Sequence, residues 1–327
     1  MVERDRLLQS IATIVADYRA GEIPAPTAAH VDHWVGQFPQ EAQQPILAEM
    51  EHILSRSYFS KEFVRQFLAN LVINKDLVGD DPRTFWQGVS FLRLQTVGNS
   101  QRDFLSIFSD ALFSTCGLRI EDCGANPHSY LYLDDFVFSG GRVGSDLSDW
   151  IKQSAPHRAR VIVMVIAYHR LGQWFAGKDI KAAATSVGKS IDVDWWRAFE
   201  IEDRKAYMKD SDVLRPTHIP IDEPTQAYVN SLGQDPILRI PGQVGALGLF
   251  SSDEGKILLE QEFLTGGVKV RTICPNLGIY QRPLGNILLR IVGFGSMVVT
   301  YRNCPNNAPL VLWAGNPWYP LFPRKTN

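Results

Sequence analysis

The sequence predicts an α/β protein with a mainly parallel sheet flanked by helices, preceded by a small all-α module. Apolar side chains recur at helical spacing in the N-terminal quarter of the chain. Further along, short apolar runs alternate with helical segments, which is typical of parallel strands joined by crossover helices. The run RVIVMVIAY at 160–168 is continuously apolar, as expected of a central strand covered on both faces. We expect the crossovers to be right-handed.

The all-α module is assigned to residues 1–82. Thr27 is placed to cap a second helix, and further helices are predicted over 45–55 and 60–73. The segment GDDP marks the end of the module. It either packs against the following domain or docks a partner protein, since no basic cluster favours DNA binding.

The α/β domain is assigned to residues 83–327. Its predicted strands and helices come in alternation, and its C-terminal part is expected to contain a helix that ends at Gly266-Gly267. The Ser251 to Glu254 spacing predicts a capping box at the start of that helix. Strands are predicted at 91–96, 131–135, 160–168, 268–273 and 296–301, and helices at 104–113, 146–153 and 254–263.

The middle of this domain, about 171–235, is interpreted as an insertion. It holds Trp174, the Trp195-Trp196 pair and the charged run AFEIEDRKAYMKD, and its periodicity is irregular. Within it, AATSVGKS at 183–190 is similar to a phosphate-binding loop, but its first position is Ala183 and no strand precedes it. Lys189 is therefore interpreted as a surface or lid lysine.

The composition excludes several classes of protein. With 327 residues and a formal net charge of -2, the chain carries no global basic field for nucleic acid. The cysteines form no C-x-x-C pair, which favours reduced thiols over a zinc site. Neither a signal peptide nor an apolar run of membrane-spanning length is found. We expect a cytoplasmic protein without a membrane partner.

The stretch YLYLDDFVFSGGRVGS at 130–145 holds the strongest functional pattern. It places Asp134 and Asp135 at the end of an apolar strand, followed by Ser-Gly-Gly and a helix. Carboxyl ends of parallel strands are where such folds bind ligands. A glycine turn at a helix N-terminus suits a phosphate, and paired acids suit ribose hydroxyls and Mg²⁺. The pattern predicts a sugar-phosphate site.

The segment LYLDDFVFSGG resembles the phosphoribosyl pyrophosphate (PRPP) signature of type I phosphoribosyltransferases. The loop 97–103 lies where that family places its pyrophosphate-binding loop. The ending TYRNCPNNAPLVLWAGNPWYPLFPR resembles divergent phosphoribosyltransferase-like domains predicted as effectors in bacterial conflict and anti-phage systems, some of them linked to retrons. The resemblance covers about 85–327.

The resemblance implies a role for each matching residue. Asp134 and Asp135 would be catalytic, holding the ribose hydroxyls and acting as indirect ligands of a nearby Mg²⁺ ion. The phosphate and pyrophosphate groups would be bound by Ser139, Gly140, Gly141, Arg142 and Val143 on one side and by Gly98, Asn99, Ser100 and Arg102 on the other. The implied reaction is displacement at ribose C1 through an oxocarbenium-like state.

Two functions stay open. In the first, the chain is a Mg²⁺-dependent transferase that acts on PRPP or a related nucleotide or ribosyl phosphate in antiviral defence. In the second, it is a PRPP- or nucleotide-sensing module that signals through the N-terminal helices, a defence-system partner protein or a nucleic-acid complex of retron type. Two departures from the family pattern favour the second: Phe138 stands where many members have an acid, and the connection CGLRIEDCGANPHS is short for a lid. The retained Ser100, Arg102 and Arg142 favour the first, which is the preferred interpretation.

Overall fold

The structure, a computed structural model, describes residues 2–95, 100–204, 211–286 and 291–324. Its contacts divide the chain into two compact units, residues 1–61 with 202–327, and residues 62–201. We call them the helical unit and the sheet unit.

The described residues contain short strands and helices of very different lengths. The helices are α1 Val2–Ile14, α2 Ala28–Val35, α3 Gln40–Ser57, α4 Lys61–Val72, α5 Lys75–Val78, α6 Pro82–Gln87, α7 Ser100–Cys116, α8 Gly141–Gln153, α9 Arg170–Ser186, α10 Glu223–Ser231, α11 Asp253–Ile273 and α12 Leu310–Trp313. The strands are β1 Tyr58–Phe59, β2 Val89–Phe91, β3 Ser129–Leu133, β4 Phe136–Val137, β5 Arg158–Met164, β6 Ala167–His169, β7 Ser190–Trp196, β8 Phe199–Ile201, β9 Gln281–Arg282, β10 Gly285–Asn286 and β11 Val299–Thr300.

The sheet unit contains the predicted parallel sheet. Four strands pair in the order β2-β3-β5-β7, and three more in the order β4-β6-β8, all in parallel. Strand β5 is buried along most of its length and pairs with β3 on one side and β7 on the other. Helices α7, α8 and α9 connect the strands. The predicted fold class is therefore confirmed.

The connecting helices cover opposite faces of this sheet. Tyr130 and Tyr132 of β3 pack in one cluster with α8 and α9, and the Tyr130 and Trp150 rings lie 5.0 Å apart. Side chains alternate along a strand, so Phe91, which pairs with Leu131, points to the other face. There it contacts Phe108 of α7 at a ring distance of 5.7 Å.

The connections change face between β2 and β3. The chain leaves β2 toward one face of the sheet, through α7, and leaves β3 toward the other face, through α8. Because β2, β3 and β5 follow one another in one direction, the β2–α7–β3 crossover has the opposite hand from β3–α8–β5. The prediction that the crossovers are all right-handed is therefore wrong. In open α/β sheets, a crevice forms at the carboxyl ends of the strands where the connections change face, and ligands bind there.

The predicted insertion differs from the structure over its first part. Residues 170–201 form α9, β7 and β8, and β7 pairs with β5 over its whole length. Trp195 packs on the α8–α9 side of the sheet, with its ring edge-on to Tyr168 at 5.9 Å. Irregular periodicity here comes from an edge strand whose last four residues, 193–196, are half-buried whichever face they point to.

The boundary at residue 82 also differs from the contact units. Helices α5 and α6 and almost all of α4 belong to the sheet unit, where Trp86 Nε1 donates to the Val72 carbonyl at 2.9 Å. Residues 202–327 group with the first 61. The helical unit thus combines the two ends of the chain.

The core of the helical unit is built from α1, α2, α3, α11 and the C-terminal segment. Trp34 is fully buried, and its Nε1 donates to the Val311 carbonyl at 2.8 Å. Thr27 caps α2, as predicted, by accepting a hydrogen bond from the His30 amide. Strand β1 pairs in parallel with β11. The predicted strand at 296–301 is limited to the two residues of β11.

Helix α11 corrects two predictions. It runs through Gly266 and Gly267 to Ile273, so the predicted helix end and the strand at 268–273 are wrong. A β-carbon on Gly267 would lie 2.7 Å from Pro283 Cα, so this glycine allows close packing and does not end the helix. The cap is Ser252, whereas Ser251 donates its amide to Glu49 Oε1 at 2.9 Å.

Candidate functional site

The two aspartates lie in a bend that crosses three neighbouring strands. Leu133 pairs with Met164, and Phe136 with Ala167, so two residues of each strand lie between the paired segments. Strands β7 and β8 are interrupted at the same level. Hydrogen bonds cross the bend from the Asp134 amide to the Met164 carbonyl at 3.1 Å and from the Ile166 amide to the Asp135 carbonyl at 2.9 Å. Because the strand pattern stops here, the adjacent acids need not point to opposite faces.

Asp134 is buried in the crevice between β2 and β3, with 3% of its surface exposed. Its Oδ1 accepts hydrogen bonds from Ser100 Oγ at 2.8 Å and from the Asp135 amide at 2.9 Å. Its Oδ2 accepts one from Gln95 Nε2 at 2.5 Å. Burial, together with the nearby Asp135 charge, raises the pKa of Asp134 to about 7, although these hydrogen bonds oppose the shift. Asp134 thus ties β3 to the start of α7.

Asp135 is the more exposed acid of the pair. It is half-buried, and its Oδ1 accepts the Phe136 amide at 2.8 Å. A carboxylate in this position keeps access to solvent at the carboxyl end of the sheet. Of the two aspartates, Asp135 is the more accessible to a ligand.

Two glutamines that the sequence analysis missed complete the crevice. Gln95 donates to Asp134 and also to Tyr132 Oη at 3.1 Å. Gln101, which is buried, accepts the Leu94 amide at 2.9 Å through its Oε1 and donates to the Leu133 carbonyl at 3.3 Å. The ends of β2 and β3 are therefore held together by side-chain amides. Their one sequence signal is their position: Gln95 is in the last residues of the predicted strand at 91–96, and Gln101 is within the predicted loop 97–103.

A further acid supports this network from α8. Tyr132 Oη donates to Asp146 Oδ2 at 2.7 Å. Burial and the charge of Asp134 raise the pKa of the Tyr132 phenol, which therefore stays a neutral donor. The chain of contacts from α8 through Tyr132 and Gln95 to Asp134 links the helix that follows the glycine turn to the buried acid.

The predicted phosphate segment lies at the N-terminus of α8. Gly140 is the N-cap, and Ser139 Oγ accepts the Gly141 amide at 3.3 Å. Ser139, Gly141 and Arg142 are exposed, whereas Val143 is buried among the side chains of the sheet and α9. Helix geometry directs the amide N–H groups of the first turn toward this end, where they favour a bound anion.

The unliganded structure requires a glycine at position 140 but not at position 141. Gly140 has φ 78, and a β-carbon there would lie 2.0 Å from the Gly172 carbonyl oxygen of α9. It is required for the turn and for helix packing. Gly141 has no positive φ, and a β-carbon there would meet only Ser139 Oγ at 3.6 Å. Neither packing nor backbone conformation requires a glycine at 141.

The predicted pyrophosphate residues are only partly described. Gly98 and Asn99 lie outside the described residues. Ser100 and Arg102 are in the first turn of α7, so the helix begins inside the predicted loop 97–103. Ser100 faces Asp134, as described above. Arg102 is exposed, and its Nε lies 3.9 Å from Asp103 Oδ1.

Among the described residues, no three or more His, Cys, Asp or Glu side chains converge in a way that could hold a metal ion. No helix in the described parts of the chain is long and apolar enough to span a membrane. A divalent cation in this site would therefore need oxygen ligands from the substrate or from water in addition to the aspartates.

The family model PRTase-CE matches residues 31–324. The chain belongs to the PRTase-CE family. This membership confirms the predicted phosphoribosyltransferase-like domain, and the match begins in α2, well before the predicted start at about 85. No curated protein and no solved structure shows significant similarity to the chain.

Proposed function

We propose that the chain binds PRPP, or a related nucleotide or ribosyl phosphate, with its 5'-phosphate at the N-terminus of α8. The observation that carries this proposal is Gly141. It is an exposed glycine in the first turn of a helix, with ordinary backbone angles and open space around its Cα. A bound phosphate that approaches the backbone is a reason for glycine at such a position.

Asp135 is the proposed partner of the ribose hydroxyls. It lies at the bend, on the strand that leads into the glycine turn, and its exposure allows a ligand to reach it. Asp134 then acts as a positioning residue, because both of its oxygens accept hydrogen bonds from the protein. Mg²⁺, if bound, would be shared between these carboxylates and the ligand's phosphates, and it would neutralise the charge of the departing pyrophosphate.

The proposed reaction is transfer of the ribosyl phosphate from pyrophosphate to an acceptor, with displacement at C1. Phe138 occupies the position of the general base found in many phosphoribosyltransferases, and its ring packs between Phe136 and His169. An acceptor that needs no base from this position fits the site. In this proposal the protein serves as an effector of bacterial antiviral defence.

A second candidate function is ligand sensing without catalysis. The segment that joins α7 to β3, in the place of a lid, is held against the sheet edge: the Gly124 amide donates to the Gln87 carbonyl at 2.9 Å. A β-carbon on Gly124 would lie 2.9 Å from Ser90 Cα. A segment packed in this way does not close over a reactive intermediate, so this observation favours a binding module.

Calorimetric titration of PRPP, with and without Mg²⁺, tests the proposal. We expect micromolar affinity that weakens without Mg²⁺ and falls at least about tenfold in Asp135→Asn, since a charge-assisted contact is lost. Arg158→Gln, an exposed change at the opposite end of the sheet, serves as the control and should bind like the wild type. A wild-type chain that does not bind PRPP would overturn the proposal.

Release of pyrophosphate separates the two functions. Incubation of the bound complex with nucleobases and nucleic-acid ends should release pyrophosphate if the chain is a transferase. Tight PRPP binding with no turnover on any acceptor would support the sensing module.

A further inference from the structure

A cavity lies on the α7 face of the sheet unit. It has a volume of about 500 Å³ and lies between the end of β2, α7 and the turn at 119–121. Its lining combines cationic, acidic, polar and apolar side chains, among them Arg93, Gln95, Leu105, Arg119, Ile120 and Glu121. The volume is within the range of small-molecule sites.

Two arginines that the PRPP resemblance does not use give this cavity its chemistry. Arg93 Nη2 lies 2.7 Å from Glu121 Oε1, and Arg119 Nη1 lies 3.8 Å from Asp110 Oδ1. All four side chains in these pairs are more than half exposed, and ion pairs of this kind contribute little to stability. A ligand phosphate can replace them at small cost, because the planar guanidinium binds phosphate oxygens in pairs.

The cavity is connected to the buried acid by one side chain. Gln95 lines the cavity and donates its Nε2 to Asp134 Oδ2 at 2.5 Å. Gln101, which also lines the cavity, accepts the amides of residues 94 and 95. An acceptor group in the cavity therefore competes with Asp134 for the amide of Gln95.

We propose that this cavity is a second, nucleotide-binding site, and that its occupancy changes the hydrogen bonding of Asp134. The phosphates contact Arg93 and Arg119, and the base lies against Leu105 and Ile120. Gln95 transmits occupancy by moving its amide from Asp134 to the ligand. This inference goes beyond the proposed function, since it concerns a different face of the sheet and requires no PRPP.

ATP is the probe for the site. Its affinity, measured by calorimetry, should fall at least about tenfold in Arg93→Gln/Arg119→Gln, because charged hydrogen bonds are lost. Arg158→Gln removes the same kind of charge outside the cavity and should bind ATP like the wild type. Gly141→Ala alters the α8 turn alone and should also leave ATP binding unchanged.

The results that would overturn the site are specific. Absence of ATP binding at millimolar concentration would contradict the proposed site. Equal affinity of the wild type and the double arginine variant for ATP would also contradict it. Loss of ATP binding in Gly141→Ala would place ATP at the α8 turn and would also contradict the inference. ATP binding by a chain that does not bind PRPP would leave this site standing and overturn the proposed function alone.

Hydrogen exchange tests the link to Asp134. The Asp135 amide donates to Asp134 Oδ1, so release of Gln95 should loosen that carboxylate and speed exchange of this amide. We expect faster exchange in 134–137 when ATP saturates the wild type, and no change in the double arginine variant. Unchanged exchange in the ATP-bound wild type would contradict the link.

Discussion

The substitution Gly140→Ala should destabilise the sheet unit by about 2–5 kcal/mol, from a left-handed backbone and a close helix contact. Gly140 has φ 78, where a β-carbon costs about 1–2 kcal/mol. The new β-carbon would lie 2.0 Å from the Gly172 carbonyl oxygen. Since ordinary contact begins near 3.4 Å, α8 and α9 must separate by more than 1 Å, and overpacking of this kind costs about 1–3 kcal/mol.

Two matched variants show whether the loss of stability is specific to position 140 or follows any change from glycine to alanine in these helices. Gly141→Ala, one residue further, meets only Ser139 Oγ at 3.6 Å and should leave stability unchanged or raise it by up to about 1 kcal/mol. Gly177→Ala lies inside α9 with nothing within 4 Å of the new β-carbon, and it should stabilise the unit by about 1 kcal/mol.

Hydrogen exchange of β5, measured by mass spectrometry, reports on this unit directly. A loss of about 2 kcal/mol in the free energy of unfolding makes the amides exchange about 30-fold faster, provided that they exchange through unfolding of the unit. A Gly140→Ala protein with the protection of the wild type would refute the close approach of α8 and α9. A Gly141→Ala protein as unstable as Gly140→Ala would refute the open space at residue 141.

Two further predictions concern single side chains. Lys189 donates through Nζ to the Ile151 and Ala155 carbonyls at 2.6 Å each, so Lys189→Met should cost about 1–3 kcal/mol in urea unfolding, whereas exposed Lys181→Met should cost under about 0.5 kcal/mol. Equal effects would contradict the contribution of these two hydrogen bonds to stability. Because burial raises the pKa of Asp134 to about 7 from an ordinary 3.8, the folded chain keeps a proton that the unfolded chain has lost between these values. The stability that this group contributes therefore falls as the pH rises from about 4 to 7. Asp134→Asn should reduce the difference in unfolding free energy between pH 5 and pH 8, and an unchanged difference would contradict the shift.

Local patterns predicted the strand, turn and helix around Asp134 better than the elements that surround them. The apolar run before Asp134 and the glycines after it each act through nearby backbone, so the strand, the turn and the helix follow from neighbours in sequence. Helix α8 begins at Gly141 and not near 146, since Gly-Arg-Val-Gly-Ser has low helix propensity and is held by contact with α9.

Features that depend on distant contacts could not be predicted. Gln95 and Gln101 are ordinary polar residues in sequence, and their roles come from the buried ends of β2 and β3. The apolar run at 160–168 gives no sign of the bend between β5 and β6, because the side chains are buried on both sides of it. Gly267 resembles a helix end, yet its close neighbour Pro283 is distant in the chain.

The affinity of Gly141→Ala for PRPP tests the central claim most directly. The variant keeps the backbone, charge and packing of the unliganded chain, so a change in affinity reports on space that the ligand itself needs. We predict a folded protein with wild-type stability whose PRPP affinity, measured by calorimetry with Mg²⁺, falls at least about tenfold. Wild-type affinity in this variant would contradict the claim that the 5'-phosphate binds at the N-terminus of α8.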